Sequence, residues 1–338
     1  MIRTVCLASM IGLLLSTVMV TAVGCRPEAK ESLIKIDFGT GLAADDEMNA
    51  LSKAVIRAVE NRMPQFDVVS IENLGGTAEV IKNIERYDLC GVSLDEAAQA
   101  YYGFFAWQGK AHPRLRLLWV MGIRPVAFLV AADTAIKSIS QLEGKPYGVC
   151  IKEDMADFKA TKLLEAFNIK PLWKRDSLTA QVDHYKHGQL AGFIEYGAGE
   201  ARLSKCNDHR PLMVLEILNS ELRIATRRYQ GSGLIYPPAV FRARTFPGQE
   251  QNVPTFGLVM GYYTKQELPS EVAFSLTKAV WQDVWNVSAS YRPLKLDIIG
   301  FPNLTLEYGP FPLHTGAVKF YRQIGLEVPD RLLPPEMR

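Results

Sequence analysis

The chain is poor in the residues that staple or metallate small domains. Five cysteines and five histidines occur among 338 residues. Beyond Cys25 only Cys90, Cys150 and Cys206 remain, an odd number at spacings that fit neither a disulfide scaffold nor a zinc site. Cys90 sits in an apolar run and reads as a buried thiol, and a Cys150–Cys206 bridge stays open. An excess of one charge is also missing. Lys and Arg number 38 against 36 Asp and Glu, a net charge of +2 with no basic stripe, so no nucleic-acid partner is indicated. There is no internal repeat, low-complexity tract or long charged run, and no Gly-x-Ser-x-Gly elbow. Long apolar runs are absent except at Val5 to Val23, which excludes a multi-span membrane protein.

What is present is ordinary for a folded chain: 48% hydrophobic and 22% charged residues. At roughly 100–200 residues per domain the length predicts two domains. Met1-Ile-Arg3, the apolar run and the small residues ending Thr21-Ala22-Val23-Gly24-Cys25 have the layout of a secretory signal peptide over 1–24. Cys25 after Ala-Val-Gly resembles a bacterial lipobox, which predicts a lipidated, palmitate-bearing Cys25, a tether over 25–32 and a periplasmic or cell-surface location. The alternatives are an ordinary cut near Gly24 or an uncleaved anchor. No Arg-Arg pair precedes the run, so export of a folded, cofactor-loaded chain is not indicated.

Strand and helix patterns alternate along the rest, which predicts an α/β fold. Strands are expected over Leu33 to Gly39, Phe66 to Ile71, Asp88 to Ser93, Tyr147 to Ile151 and Ala191 to Glu195. Met48, Leu51, Val55, Ile56 and Val59 mark a helix of period 3.6, and Thr77 is the expected cap of a helix through Ile81 and Ile84. Asp95 opens the next helix, and further helices are expected over Asp154 to Phe167 and Thr179 to His187. One long helix starts at Pro269-Ser270-Glu271 and runs through Val284. Leu115 to Val120 and Val126 to Ala131 are apolar around a break at Gly122 to Pro125, the pattern of a crossing between domains. Val253 to Met260 is the return crossing.

Gly39 to Ala44 fits G-x-G-x-x-A after a strand, with Asp67 near the acidic position. Asp45, Asp46 and Glu47 at the helix start would repel a pyrophosphate, so a dinucleotide is not expected. His184 and His187 lie near a helix end and read as caps rather than metal ligands, and His314 before a helix from Thr315 reads as structural. No enzyme, cofactor or metal site is predicted.

Phe38-Gly39-Thr40-Gly41, Gly75-Gly76-Thr77-Ala78-Glu79-Val80, the segment Asp133 to Lys145, Phe246-Pro247-Gly248-Gln249, Val253-Pro254-Thr255 and Pro312 to Ala317 occur in an order and spacing that resembles the TAXI-type solute-binding proteins of TRAP transporters, from about Lys35 to Gly325. The resemblance implies a type II periplasmic binding protein fold: two Rossmann-like lobes joined by two crossing strands, with a ligand cleft between them. Lobe 1 would take 33–122 and, with the C-terminal helices, 257–338; lobe 2 would take 123–256. The implied function is capture of an amino acid or organic acid by hinge closure and delivery to a TRAP membrane permease. The alternative is a transport-inactive lipoprotein that signals occupancy to a membrane sensor. The implied cleft is lined by Thr40, Gly41, Asp45, Asp46, Gly76, Thr77, Ser93, Asp95, Arg124, Lys152, Asp154, Asp157, Glu195 and Tyr196. Acids in two facing loops (Asp45, Asp46, Glu153, Asp154, Asp157), with Arg124 and Lys152 as counter-charges, favour an amino-group-bearing zwitterion over a pure di-acid.

Overall fold

The computed structural model describes residues 33–40, 48–72, 76–150, 155–196 and 200–338. The signal sequence, Cys25 and the tether lie outside the described residues, as does most of the Gly39 to Ala44 motif. Strand β1 (Ile34–Thr40) buries Ile36 and Phe38. Helix α1 (Met48–Arg62) turns Leu51, Val55 and Val59 inward at helical spacing, and β2 (Phe66–Glu72) returns parallel to β1. Helix α2 (Thr77–Lys82) is capped by Gly76, whose φ of 77° suits glycine, and the expected cap, Thr77, is its first helical residue. β3 (Leu89–Ser93) lies parallel on the other side of β1 and runs straight into α3 (Leu94–Tyr102).

The expected break at Gly122 to Pro125 does not occur: β4 (Leu115–Ala131) is one strand of 17 residues. Side chains substitute for a neighbouring strand beside its first half. The Val120 N–H donates to Thr305 Oγ1 at 2.8 Å and the Ile123 N–H to Asp297 Oδ2 at 2.9 Å. Beyond it come β5 (Pro146–Cys150), α4 (Met155–Ala166), β6 (Leu172–Asp176), α5 (Leu178–Lys186) and β7 (Gly192–Tyr196). Next follow α6 (Glu200–His209), β8 (Leu212–Val214), α7 (Asn219–Arg228) and β9 (Pro238–Phe241), none of which is among the elements expected from the sequence. β10 (Val253–Lys265) is the return strand. The long helix expected after Pro269 is two, α8 (Ser270–Gln282) and α9 (Val284–Ser290), separated at Asp283, whose carboxylate binds Arg62 at 2.8 Å. Short helices α10 (Lys295–Ile299) and α11 (Phe301–Tyr308) precede α12 (Thr315–Gln323).

The strands form one sheet in the order β2-β1-β3-β10-β4-β7-β5-β6, with β8 beside β4 and β9 beside β10. β10 is antiparallel to both β3 and β4. One half of the sheet therefore carries β1 to β3, the other β5 to β7, and β4 and β10 belong to both. The expected boundaries at 122/123 and 256/257 fall inside these two strands. Cys150 and Cys206 are free thiols, so the bridge left open by the sequence is not made, and Cys90 is buried as expected.

Candidate functional site

The parallel strands end where α/β sheets bind ligands, at the carboxyl edge. Thr40 is buried at the end of β1, Gly76 and Thr77 start α2, and Ser93 caps α3. In the other half, Glu195 and Tyr196 end β7. Register pairs Tyr196 with Val126 and Glu195 with Ala127, and β4 carries Arg124 two residues before Val126, on the same face. The structure thus brings Arg124 to Tyr196, the guanidinium carbon standing 5.1 Å from the ring centre. The Arg124 Nε is buried and meets no acceptor among the described residues, and the same is true of the Ser93 Oγ.

The expected acids serve the fold instead. Asp95 is fully buried and binds Lys159 Nζ at 2.8 Å, while its second oxygen accepts from the Val259 N–H at 2.7 Å. Lys159 also donates to the Gly257 carbonyl at 2.8 Å. This knot ties α3, α4 and β10 together. Burial pushes the Asp95 carboxyl up and the Lys159 ammonium down, and the attraction between the two opposes both shifts. Asp157 is buried and accepts from the Cys150 N–H at 2.8 Å, closing β5 onto α4. Glu195 pairs with Arg202 on α6 and accepts from the Tyr196 N–H. Burial raises the Glu195 carboxyl, and Arg202 and Arg124 pull it back.

Gly41, Asp45, Asp46, Lys152, Glu153 and Asp154 lie outside the described residues, and of the charges expected to favour a zwitterion only Asp157 and Arg124 are described. Asp157 lies on α4 and binds back to the end of β5. Lys159 and Arg202 were missed in the sequence. Lys159 had a signal, since it stands on the same helical face as Ala156, Ala160 and Leu163, all buried. Arg202 had none beyond its distance of seven residues from Glu195.

The histidines behave as caps. His187 sits at the end of α5 with Nδ1 2.7 Å from the Asp183 carbonyl, and His184 contacts Gln189 and Asp176. Among the described residues no three His, Cys, Asp or Glu side chains come together as a metal site would require. No helix among them is long and apolar enough to cross a membrane.

Comparison with solved structures shows the fold. The solute-binding protein TctC from Polaromonas, solved without ligand, superposes with a TM-score of 0.53 at 12% identity, over 86% of this chain and 97% of its own. XAC2383 from Xanthomonas citri, bound to ATP, gives 0.48 at 10% identity over 86% and 95%. A TRAP periplasmic solute-binding protein from Roseobacter denitrificans with bound β-D-glucuronate gives 0.43 at 8% over 79% and 84%. The fold is that of the type II periplasmic binding proteins. Residues 46–325 match the NMT1-like family, and the chain belongs to it.

Proposed function

We propose that this chain is an extracytoplasmic solute receptor, anchored by lipid on Cys25, that captures a small carboxylate-bearing solute and hands it to a membrane permease without making or breaking a bond. The observation that carries the reading is Arg124: a guanidinium on a strand shared by both halves, backed by Tyr196, with a buried donor that meets no acceptor. An unmatched buried donor is costly, and a ligand carboxylate would satisfy it. Ser93 Oγ, from the other half, is a second unmatched group. A solute touching both would favour the closed arrangement, with the flex in β4 and β10. The lobes are then 33–122 with 257–338, and 123–256. The family fold supports solute binding, and the ordered TAXI-type motifs support a TRAP permease as the partner. A di-acid and an amino acid both supply the carboxylate, so the amine favoured by the acidic residues Asp45, Asp46, Glu153, Asp154 and Asp157 is a secondary feature.

A thermal-shift screen of amino acids, dicarboxylates, 2-oxoacids and polyamines tests this. A carboxylate at a hundred times its dissociation constant adds about 2.7 kcal/mol of stability, a clear rise in melting temperature. Arg124→Gln should weaken that ligand by roughly tenfold or more. A shift by polyamines alone, or a carboxylate shift that survives Arg124→Gln, counts against the reading.

A further inference from the structure

A cavity stands apart from the strand ends. Its volume is about 580 Å³, within the range of small-molecule sites. It lies at the far end of α3, about 13.5 Å along the helix from Ser93 at 1.5 Å per residue. None of Thr40, Gly76, Ser93, Arg124 or Tyr196 lines it. Its walls come from distant parts of the chain: the end of α3, the stretch from α7 towards β9, and the segment after α11. The second wall is pressed onto the first. A Cβ on Gly233 would stand 2.9 Å from Ala98, and Gly233 has a φ of 78°.

The lining combines an aromatic body with uncompensated positive charge. Five aromatic residues line it, Tyr102, Tyr229, Tyr236, Tyr308 and Phe311, of which Tyr236 and Phe311 are almost wholly buried. Tyr102 remains 39% exposed. The Tyr229 and Tyr236 hydroxyls are tied to the carbonyls of Lys162 and Lys159, which fixes both rings. Burial, with Glu307 adding to it, pushes the Tyr308 hydroxyl up to about 12, so it stays neutral. Arg227 makes no side-chain hydrogen bond, ion pair or ring contact among the described residues. Arg331 is held rigidly, but by neutral groups: its nitrogens donate to the carbonyls of Gly309 at 2.6 Å, Glu307 at 2.7 Å and Leu306. Two guanidiniums therefore face one acid, Glu307, and neither is ion-paired among the described residues.

We propose that this cavity is a second binding site, separate from the Arg124 site, for an aromatic carboxylate. Its ring packs among the tyrosines and its anion is drawn to Arg227. Rigid aromatic walls bury a flat ring at little entropic cost, and the excess of guanidinium selects the anion over the cation. The assignment does not depend on the solute held at Arg124.

The test is isothermal titration of the mature chain with benzoate, 4-hydroxyphenylacetate and indole-3-acetate, and with tyramine as the cationic counterpart. At least one acid is expected to bind at millimolar or lower concentration, and more tightly than tyramine. Arg227→Gln should weaken it roughly tenfold. Gln230→Trp, which crowds the cavity from an exposed position without changing charge, should abolish it, with both variants keeping the parent melting temperature. Arg124→Gln should leave this binding in place. Failure of all three acids, preference for tyramine, or binding lost with Arg124→Gln yet indifferent to Arg227→Gln and Gln230→Trp would overturn the assignment. Because Arg124→Gln reports on the other site alone, the two readings fail separately.

Discussion

His314 shows how one side chain is committed to the fold. It is buried, and its Nδ1 accepts from the Gly316 N–H at 3.1 Å, capping α12. Accepting requires the neutral ring. Burial lowers its proton affinity below the ordinary 6.5, while the carbonyls of Gln266 and Leu268 and the charge of Glu336 work the other way. The folded state therefore binds its proton less readily than the unfolded chain. The stability contributed is fully present above about pH 6.5 and falls as pH drops below that value, with a slope of at most about 1.4 kcal/mol per pH unit. His314→Asn keeps a capping oxygen and removes the titration. Urea unfolding at pH 7.5 and 5.5 should show a smaller difference for the variant than for the parent, and equal differences would refute the account. Arg124 is the opposite kind of residue: its Nε is buried and meets no acceptor among the described residues, whereas each guanidinium nitrogen of the buried Arg116 finds an oxygen.

At the scale of elements, α3 and α4 meet through Asp95 and Lys159, both without exposed surface. Lys159→Met leaves a buried carboxylate with no counter-ion and should cost about 3–5 kcal/mol. Pairing it with Asp95→Asn removes the orphaned charge and should recover a good part, as read from denaturant midpoints. A single variant as stable as the parent would mean that the pair is solvated in solution. The alternation of strands and helices was legible because period 2 and period 3.6 are local properties. The continuity of β4 was not: Gly122-Ile123-Arg124-Pro125 reads as a turn, and the acceptors that keep it extended, Asp297 and Thr305, are 174 and 185 residues away. β6 was missed because Leu172 to Asp176 is a largely exposed strand with no apolar alternation. In the site, Arg124 could be found from its place on a crossing strand. The commitment of Asp95, Asp157 and Glu195 could not, because each partner is set by tertiary packing.

At the scale of the molecule, the two halves share β4 and β10, so the closure proposed above would be a twist of two long strands. β10 has register irregularities at Met260/Gly261 and Tyr262/Tyr263, where such strands bend most readily. Small-angle scattering at saturating ligand should show a smaller radius of gyration than the free protein, and an unchanged radius would exclude closure. The same sharing governs the order of assembly. β10 fits between β3 and β4, although it follows β3 by 160 residues and more in the chain. A growing polypeptide has an unfilled slot in the middle of its sheet until Lys265 has been made, with β3 and β4 each lacking a partner on that side. Such long-range closure is slow. For the proposed extracytoplasmic receptor, threaded through a membrane before it folds, this layout would gain time, because the strand that completes the sheet is among the last quarter to emerge.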